Sequence, residues 1–140
     1  MANEYLTVQQ AQYLYQKLLG ELKNDPVDVE DSASIPNNSS TNLCSTDSYG
    51  PGVYLVDAYA SFAGNGTGRR HLRLSNSSAG AAIDDWSQAT LAPVTSNNTT
   101  ITQVTTIQKR TTSGKWYLVV YQNSGGALTV SGGIRVLKLH

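Results

Sequence analysis

From Gly50 to the last residue, the chain is a succession of short β-branched and aromatic runs cut by Gly, Asn and Ser, a punctuation that suits an all-β fold. The first run, 52-GVYLVDAYASFAG-64, sets Tyr54, Val56, Ala58, Ala60 and Phe62 on one face and Val53, Leu55, Asp57, Tyr59 and Ser61 on the other. A Gly-rich turn, 64-GNGTG-68, leads into 69-RRHLRLSN-76, where Arg70, Leu72 and Leu74 alternate with Arg69, His71 and Arg73. Weaker strand signals surround Ile83 and Leu91. Four further runs follow, 99-TTITQVTTIQKR-110, 115-KWYLVVYQN-123, 127-ALTVS-131 and 133-GIRVLKLH-140, parted by SG, SGG and GG turns. At least six strands in about 90 residues predict a sandwich or barrel.

Antiparallel strands usually bury one face and wet the other. Residues 116–121 do not alternate in this way: Trp116, Leu118 and Val120 fill one face while Tyr117, Val119 and Tyr121 fill the other, and residues 53–56 behave alike. A small sandwich has one core to offer, so the second face is expected to be covered by another copy of the chain or by a partner protein. Such burial stabilises by about 25 cal/mol per Å², or several kcal/mol per subunit for a few aromatic residues. The competing reading is that the tyrosines are half-exposed β residues.

The first 50 residues differ. They hold two basic and seven acidic side chains, against eight basic and three acidic in the remainder, for a net charge of zero overall. From Thr7 to Lys23 the sequence favours a helix, with Thr7 as N-cap and Gln10 completing a capping box. Val8, Ala11, Tyr15, Leu18 and Leu22 follow the 3-4 spacing of a heptad seam, suited either to helix-to-helix contact or to lying on a larger surface. Residues 25–48 are acidic and polar with two prolines and read as a linker, or as an arm ordered by a partner; Val27 and Val29 offer the makings of an edge strand. The expected organisation is thus a helix in 1–24, a linker in 25–48 and a β domain in 49–140.

Several kinds of chemistry are disfavoured. A balanced charge and a pI near 6.7 argue against nucleic acid as the main partner. Lone Cys44 permits neither an internal disulfide nor a zinc site needing two thiolates, and with no basic neighbour it is expected to be unreactive. His71 and His140 stand in no zinc-binding pattern, adjacent Asp84 and Asp85 would point opposite ways on a strand, and no nucleophile elbow occurs. No catalytic residue, cofactor or metal is therefore expected. Residues 1–20 lack the layout of a signal peptide, and no apolar run approaches the roughly 20 residues that cross a bilayer. The concentrated positive feature, Arg69, Arg70 and Arg73, is a candidate docking surface, with Trp86 a candidate for stacking on a sugar.

The order of runs 52-GVYLVDAYASFAGNGTGRRHLRL-74 and 115-KWYLVVYQNSGGALTVSGGIRVLKL-139 resembles the trimeric jelly-roll domains of the C1q and tumour-necrosis-factor type found in bacteriophage fibre and receptor-binding proteins. The similarity covers about residues 50–140 and lies in a G-x-Y-x-V opening strand, a polar hairpin with Arg, a late hydrophobic strand followed by Q-x-S-G, and a closing strand. It implies an all-β, C1q/TNF-like antiparallel jelly-roll sandwich preceded by a short helix and a linker, assembled as a homotrimer. Tyr54, Val56, Trp116, Tyr117, Val119 and Tyr121 map to its core or threefold interface. The calcium-binding Asp cluster of some members has no counterpart. The function so implied is that of a virion structural protein, a short fibre on a phage head or tail with the N-terminus joined to other virion proteins; the alternative is an adhesin for a host receptor or glycan.

Overall fold

A computed structural model of the chain describes residues 7–24, 28–78, 87–93 and 98–140; the side chains of Leu19 and residues 21–24 lie outside the description. Among the described residues one helix, α1 (Val8–Asn24), precedes eight strands: β1 (Val29–Ile35), β2 (Ser39–Ser45), β3 (Gly52–Phe62), β4 (Arg70–Ser75), β5 (Gln88–Leu91), β6 (Thr100–Arg110), β7 (Tyr117–Gln122) and β8 (Leu128–Lys138). They form two four-stranded antiparallel sheets, in the orders β1-β8-β3-β6 and β2-β7-β4-β5.

Alternation along β3 decides where the core sits. Tyr54, Val56, Ala58, Ala60 and Phe62 are all buried, facing the second sheet, where Leu72 and Leu74 of β4 and Leu118 and Val120 of β7 answer them. Ala58 and Ala60 keep the middle of β3 thin, and β8 comes close beside it at Gly132. A Cβ there would strike the Tyr59 carbonyl oxygen and the Leu118 side chain. The 127–131 and 133–140 runs are consequently one continuous strand, with Gly132 and Gly133 inside it rather than in a turn.

The linker expected over 25–48 is corrected by β1 and β2, one in each sheet. β1 pairs with β8 from Val29↔Ile134 to Ile35↔Leu128, and β2 pairs with β7. The β domain therefore starts by Val29 rather than at residue 49. Both are edge strands, which tolerate polar side chains because the backbone ladder supplies their attachment and solvent meets their open edge. A bulge between Asn42 and Cys44 places two successive side chains, Leu43 and Cys44, in the core. Asn38, at φ 57° in the turn joining the two strands, takes the left-handed conformation that Asn accepts.

Buried Gln122 ties the end of the sandwich together. Its Nε2 donates to the carbonyls of Ile35 and Gly126, and its Oε1 accepts from the Ser124 amide. The Q-x-S-G sequence thus belongs to a turn-closing device. On α1 the capping box is formed: Thr7 Oγ1 accepts from the Gln10 amide at 3.1 Å and Gln10 Oε1 from the Thr7 amide at 2.9 Å.

Candidate functional site

Three surfaces carry side chains that the fold itself does not consume. The first is the outward face of the β1-β8-β3-β6 sheet. Register places Leu137, Leu55 and Ile107 side by side in one row, and Ile101 two rows beyond the Asp57 row. Ile101 is 62% exposed and Ile107 64%, while Val53, Leu55 and Leu137 are half-buried. Between these apolar residues runs a polar band. Asp57 is only 1% exposed although it points away from the core. Its Oδ1 accepts from Gln103 Nε2 at 2.6 Å and from Thr105 Oγ1 at 2.7 Å, and its Oδ2 faces Arg135 Nη1 at 3.7 Å. Arg135 also stands over the Tyr59 ring, 5.7 Å from its centre, and the Tyr59 hydroxyl donates to Glu30. Burial, followed by that hydrogen bond, pushes the Tyr59 phenol up to about 12, so it stays a donor. A notch of about 180 Å³ opens here, lined by Asp57, Tyr59, Ile101, Gln103 and Arg135.

α1 is the second surface. Of the predicted seam, Val8, Ala11 and Tyr15 are exposed, Leu18 is half-buried, and the side chain of Leu22 lies outside the described residues. Val8 is 75% exposed and Tyr15 61%; off the seam, Tyr13 is 69% exposed and Leu14 42%. The helix meets the sandwich at β8.

The outward face of the β2-β7-β4-β5 sheet is the third. Neither half-buried Tyr117 nor half-buried Tyr121 is left bare, and Val119 between them is 3% exposed within a single chain. Asn42 and Arg73 flank Val119 in register, and Ser40 and His71 flank Tyr121. Trp116, Leu118 and Val120 point inward and are fully buried. The expectation that the 116–121 ribbon needs a second molecule to cover it is thereby corrected, because within one chain Val119 is already buried and the two tyrosines half-buried between the adjacent strands. The same two-faced pattern at residues 53–56 does leave apolar surface outside, on the opposite sheet.

Arg70 is corrected as a docking residue. It is fully buried beside Leu72 and Leu74, and its guanidinium donates to the carbonyls of Asn65, Thr67 and Arg69, shaping the 64–68 loop. Its alternation with Arg69, His71 and Arg73 was the sequence signal for this. Arg69 is exposed and lies 5.4 Å from the centre of the Tyr121 ring. Arg73 Nε donates to His71 Nε2 at 3.1 Å, which makes His71 a neutral acceptor there and leaves its Nδ1–H for Thr90 Oγ1 at 3.0 Å. Burial first, then the Arg73 charge, holds His71 below the usual imidazole range. Trp86, Asp84, Asp85 and Ile83 lie outside the described residues.

Sequence comparison adds no relative. No family model and no curated protein matches this chain.

The remaining residues of interest are structural. Tyr49, Tyr54 and Trp116 pack ring to ring with centroids 5.2–5.5 Å apart, and Arg110 caps Trp116 at 3.9 Å. Arg110 is held there by the carbonyl of Lys115 and by Asn76. Tyr54 and Val56 are thus core residues. Cys44 is buried, and burial followed by the charges of Asp31 and Glu30 pushes its thiol up to about 12. Among the described residues no group of three His, Cys, Asp or Glu side chains converges on a point, and no helix is long and apolar enough to cross a membrane.

Proposed function

We propose that this chain is a self-associating structural protein: a homotrimeric head of the C1q/TNF-like jelly-roll type, forming a short fibre on a bacteriophage virion, with the N-terminal helix as its attachment. The observation that carries the reading is the outward face of the β1-β8-β3-β6 sheet. Two isoleucines more than 60% exposed, with three half-buried apolar neighbours, are costly to leave in water and productive to bury against a like surface. The pairing of strand 1 with 8, 8 with 3 and 3 with 6, and of 2 with 7, 7 with 4 and 4 with 5, is the order of a jelly roll wound from eight strands, which supports that fold type. The exposed seam of α1 supplies a second adhesive element, suited to parallel helices on one axis or to a neighbouring virion protein.

Light scattering tests the self-association. The expected mass is three times that of the 15.0 kDa chain, and Ile101→Ser with Ile107→Ser releases monomers. Co-sedimentation with phage particles tests attachment, with binding expected to be lost when residues 1–24 are removed. A monomeric wild-type chain that never joins particles refutes the proposal.

The adhesin reading is favoured by a different observation. Arg69 held over Tyr121, which Ser40 and His71 flank, with Thr90 beyond His71, makes a polar aromatic face with the ingredients for a glycan. Loss of cell binding in Arg69→Ala and Tyr121→Ala, with the assembly intact, would establish it.

A further inference from the structure

The outward face of the β2-β7-β4-β5 sheet is one-sided in charge. None of its four strands contains an Asp or Glu, whereas strands of the other sheet carry Glu30, Asp31 and Asp57. Register sets His71 and Arg73 of β4 on that face, and Arg69, just before β4, reaches it at Tyr121. Asp47, in the loop after β2, follows the Ser45↔Tyr117 pair, at the opposite end of β7 from Tyr121. Among the described residues, the strands therefore bring positive charge to this face and no negative charge.

Around Tyr121 the chain itself holds the groups in place. The Arg69 amide donates to Asn123 Oδ1 at 2.6 Å, its guanidinium stands 5.4 Å from the centre of the Tyr121 ring, and the Tyr121 hydroxyl donates to Asn38 Oδ1 at 3.1 Å. A cation and a ring fixed beforehand lose little freedom when a ligand binds. Short neutral polar groups stand along the same rows: Ser40 and Asn42 on β2, Gln88 and Thr90 on β5, all exposed. That composition selects among anionic partners. A protein interface has an apolar centre, and the outward Val119 is only 3% exposed. Duplex nucleic acid is held by neutralising many phosphates at once, more than two arginines can. A sugar acid carries its carboxylate on the ring itself. The apolar side of that ring can lie against Tyr121 while the carboxylate meets the Arg69 guanidinium, and the ring hydroxyls find the Ser, Thr and amide side chains.

We infer that this face binds an acidic polysaccharide, with a uronate carboxylate on Arg69 and the sugar ring beside Tyr121. The inference rests on the adhesin reading above and names the class of glycan. Arg69 supplies the selectivity for an acid, whereas Tyr121 and the neutral polar side chains select for a sugar over other acids.

Isothermal titration of the full-length protein at low ionic strength tests this with three probes: oligogalacturonate, the same oligomer with its carboxyls methyl-esterified, and poly-glutamate. Oligogalacturonate is expected to bind, and esterification to weaken it roughly 10–100-fold, the equivalent of one charged hydrogen bond. Arg69→Gln is expected to weaken the acid by the same factor and the ester hardly at all, the coupling of a direct contact. The Arg69 side chain is exposed and its hydrogen bond into the fold is made by the backbone amide, so Arg69→Gln folds. An equal loss for acid and ester in Arg69→Gln overturns the charge contact, and poly-glutamate binding as tightly as oligogalacturonate overturns the sugar in favour of an acidic peptide. A wild-type protein that binds cells through Arg69 and Tyr121 but not oligogalacturonate overturns the acidic class and leaves the adhesin reading standing. One that binds neither overturns both.

Discussion

Replacing Trp116 by alanine tests the arrangement of the late hydrophobic ribbon most directly. The indole is fully buried, in ring contact with Tyr49 and Tyr54, and capped by the Arg110 guanidinium at 3.9 Å, while its backbone amide donates to Thr46 Oγ1 at 3.0 Å. Truncating a buried Trp costs about 3–5 kcal/mol. The two ring pairs and the cation over the ring place this site toward the upper part of that range. Truncation leaves a void against Tyr54 of β3 and Arg110 of β6, whose backbones are fixed in a ladder, so collapse recovers little. With a urea m-value of about 2 kcal/mol/M, the unfolding midpoint falls by roughly 2 M. Tyr117→Ala, one residue along and on the outward face, removes a half-buried ring and costs about 1 kcal/mol. Chemical unfolding followed by circular dichroism, at one fixed protein concentration so that association contributes equally, compares the two. Equal losses at 116 and 117, or a larger one at 117, would refute the assignment of inward and outward faces on β7.

The stability of the fold also responds to pH through His71. Its folded pKa lies below the unfolded value of about 6.5, so the unfolded chain binds the proton more readily and the contribution is full above 6.5. It is lost as pH falls through the folded pKa, and thermal melts of wild type and His71→Asn across pH 5–8 should converge at the acid end. Asp57→Ala removes the acceptor of Gln103 and Thr105 and is expected to cost about 1–3 kcal/mol by thermal or urea unfolding; discounted for its exposed side, the Arg135 pair adds little. Thr7→Ala opens the capping box of α1, lowering stability of the helix by about 1 kcal/mol and its far-ultraviolet signal, with no change in the sandwich. Cys44, buried and held protonated, should resist iodoacetamide at pH 8 until the protein is unfolded.

Where local chemistry decides structure, the sequence was readable. Thr7 and Gln10 announce the helix start because both partners lie within one turn, and the alternation of Tyr54 to Phe62 marks the core face because β3 is central and buried on that side. β1 and β2 were hidden for the opposite reason. Their attachment comes from backbone pairing with β8 and β7, residues some 70–105 positions away, so Ser, Asn and acidic side chains suffice and no hydrophobic period is needed. The bulge at Leu43 and Cys44 erases what alternation remained. Arg70 was open to a stricter reading, since it shares a face with Leu72 and Leu74. The burial of Asp57 was not legible, as it depends on Gln103 and Thr105 arriving opposite it from β6. The surplus apolar surface was expected on both two-faced runs. Of the two runs, the one at 53–56 lies in the sheet that leaves Ile101 and Ile107 exposed, whereas on β7 Val119, with Asn42 and Arg73 beside it in register, is 3% exposed.

The pairing of β1 with β8 gives the sandwich a polarity along its length. β1 begins beside Ile134, so α1 joins at the same end of the strands where β8 finishes and His140 returns to Val53. The turns at 36–38, 63–69 and 123–127 gather at the other end. Held by its helix, the molecule would present that trio of loops as its far tip, and peptide insertions there would travel furthest from the point of attachment while disturbing neither the ladders nor the exposed isoleucines.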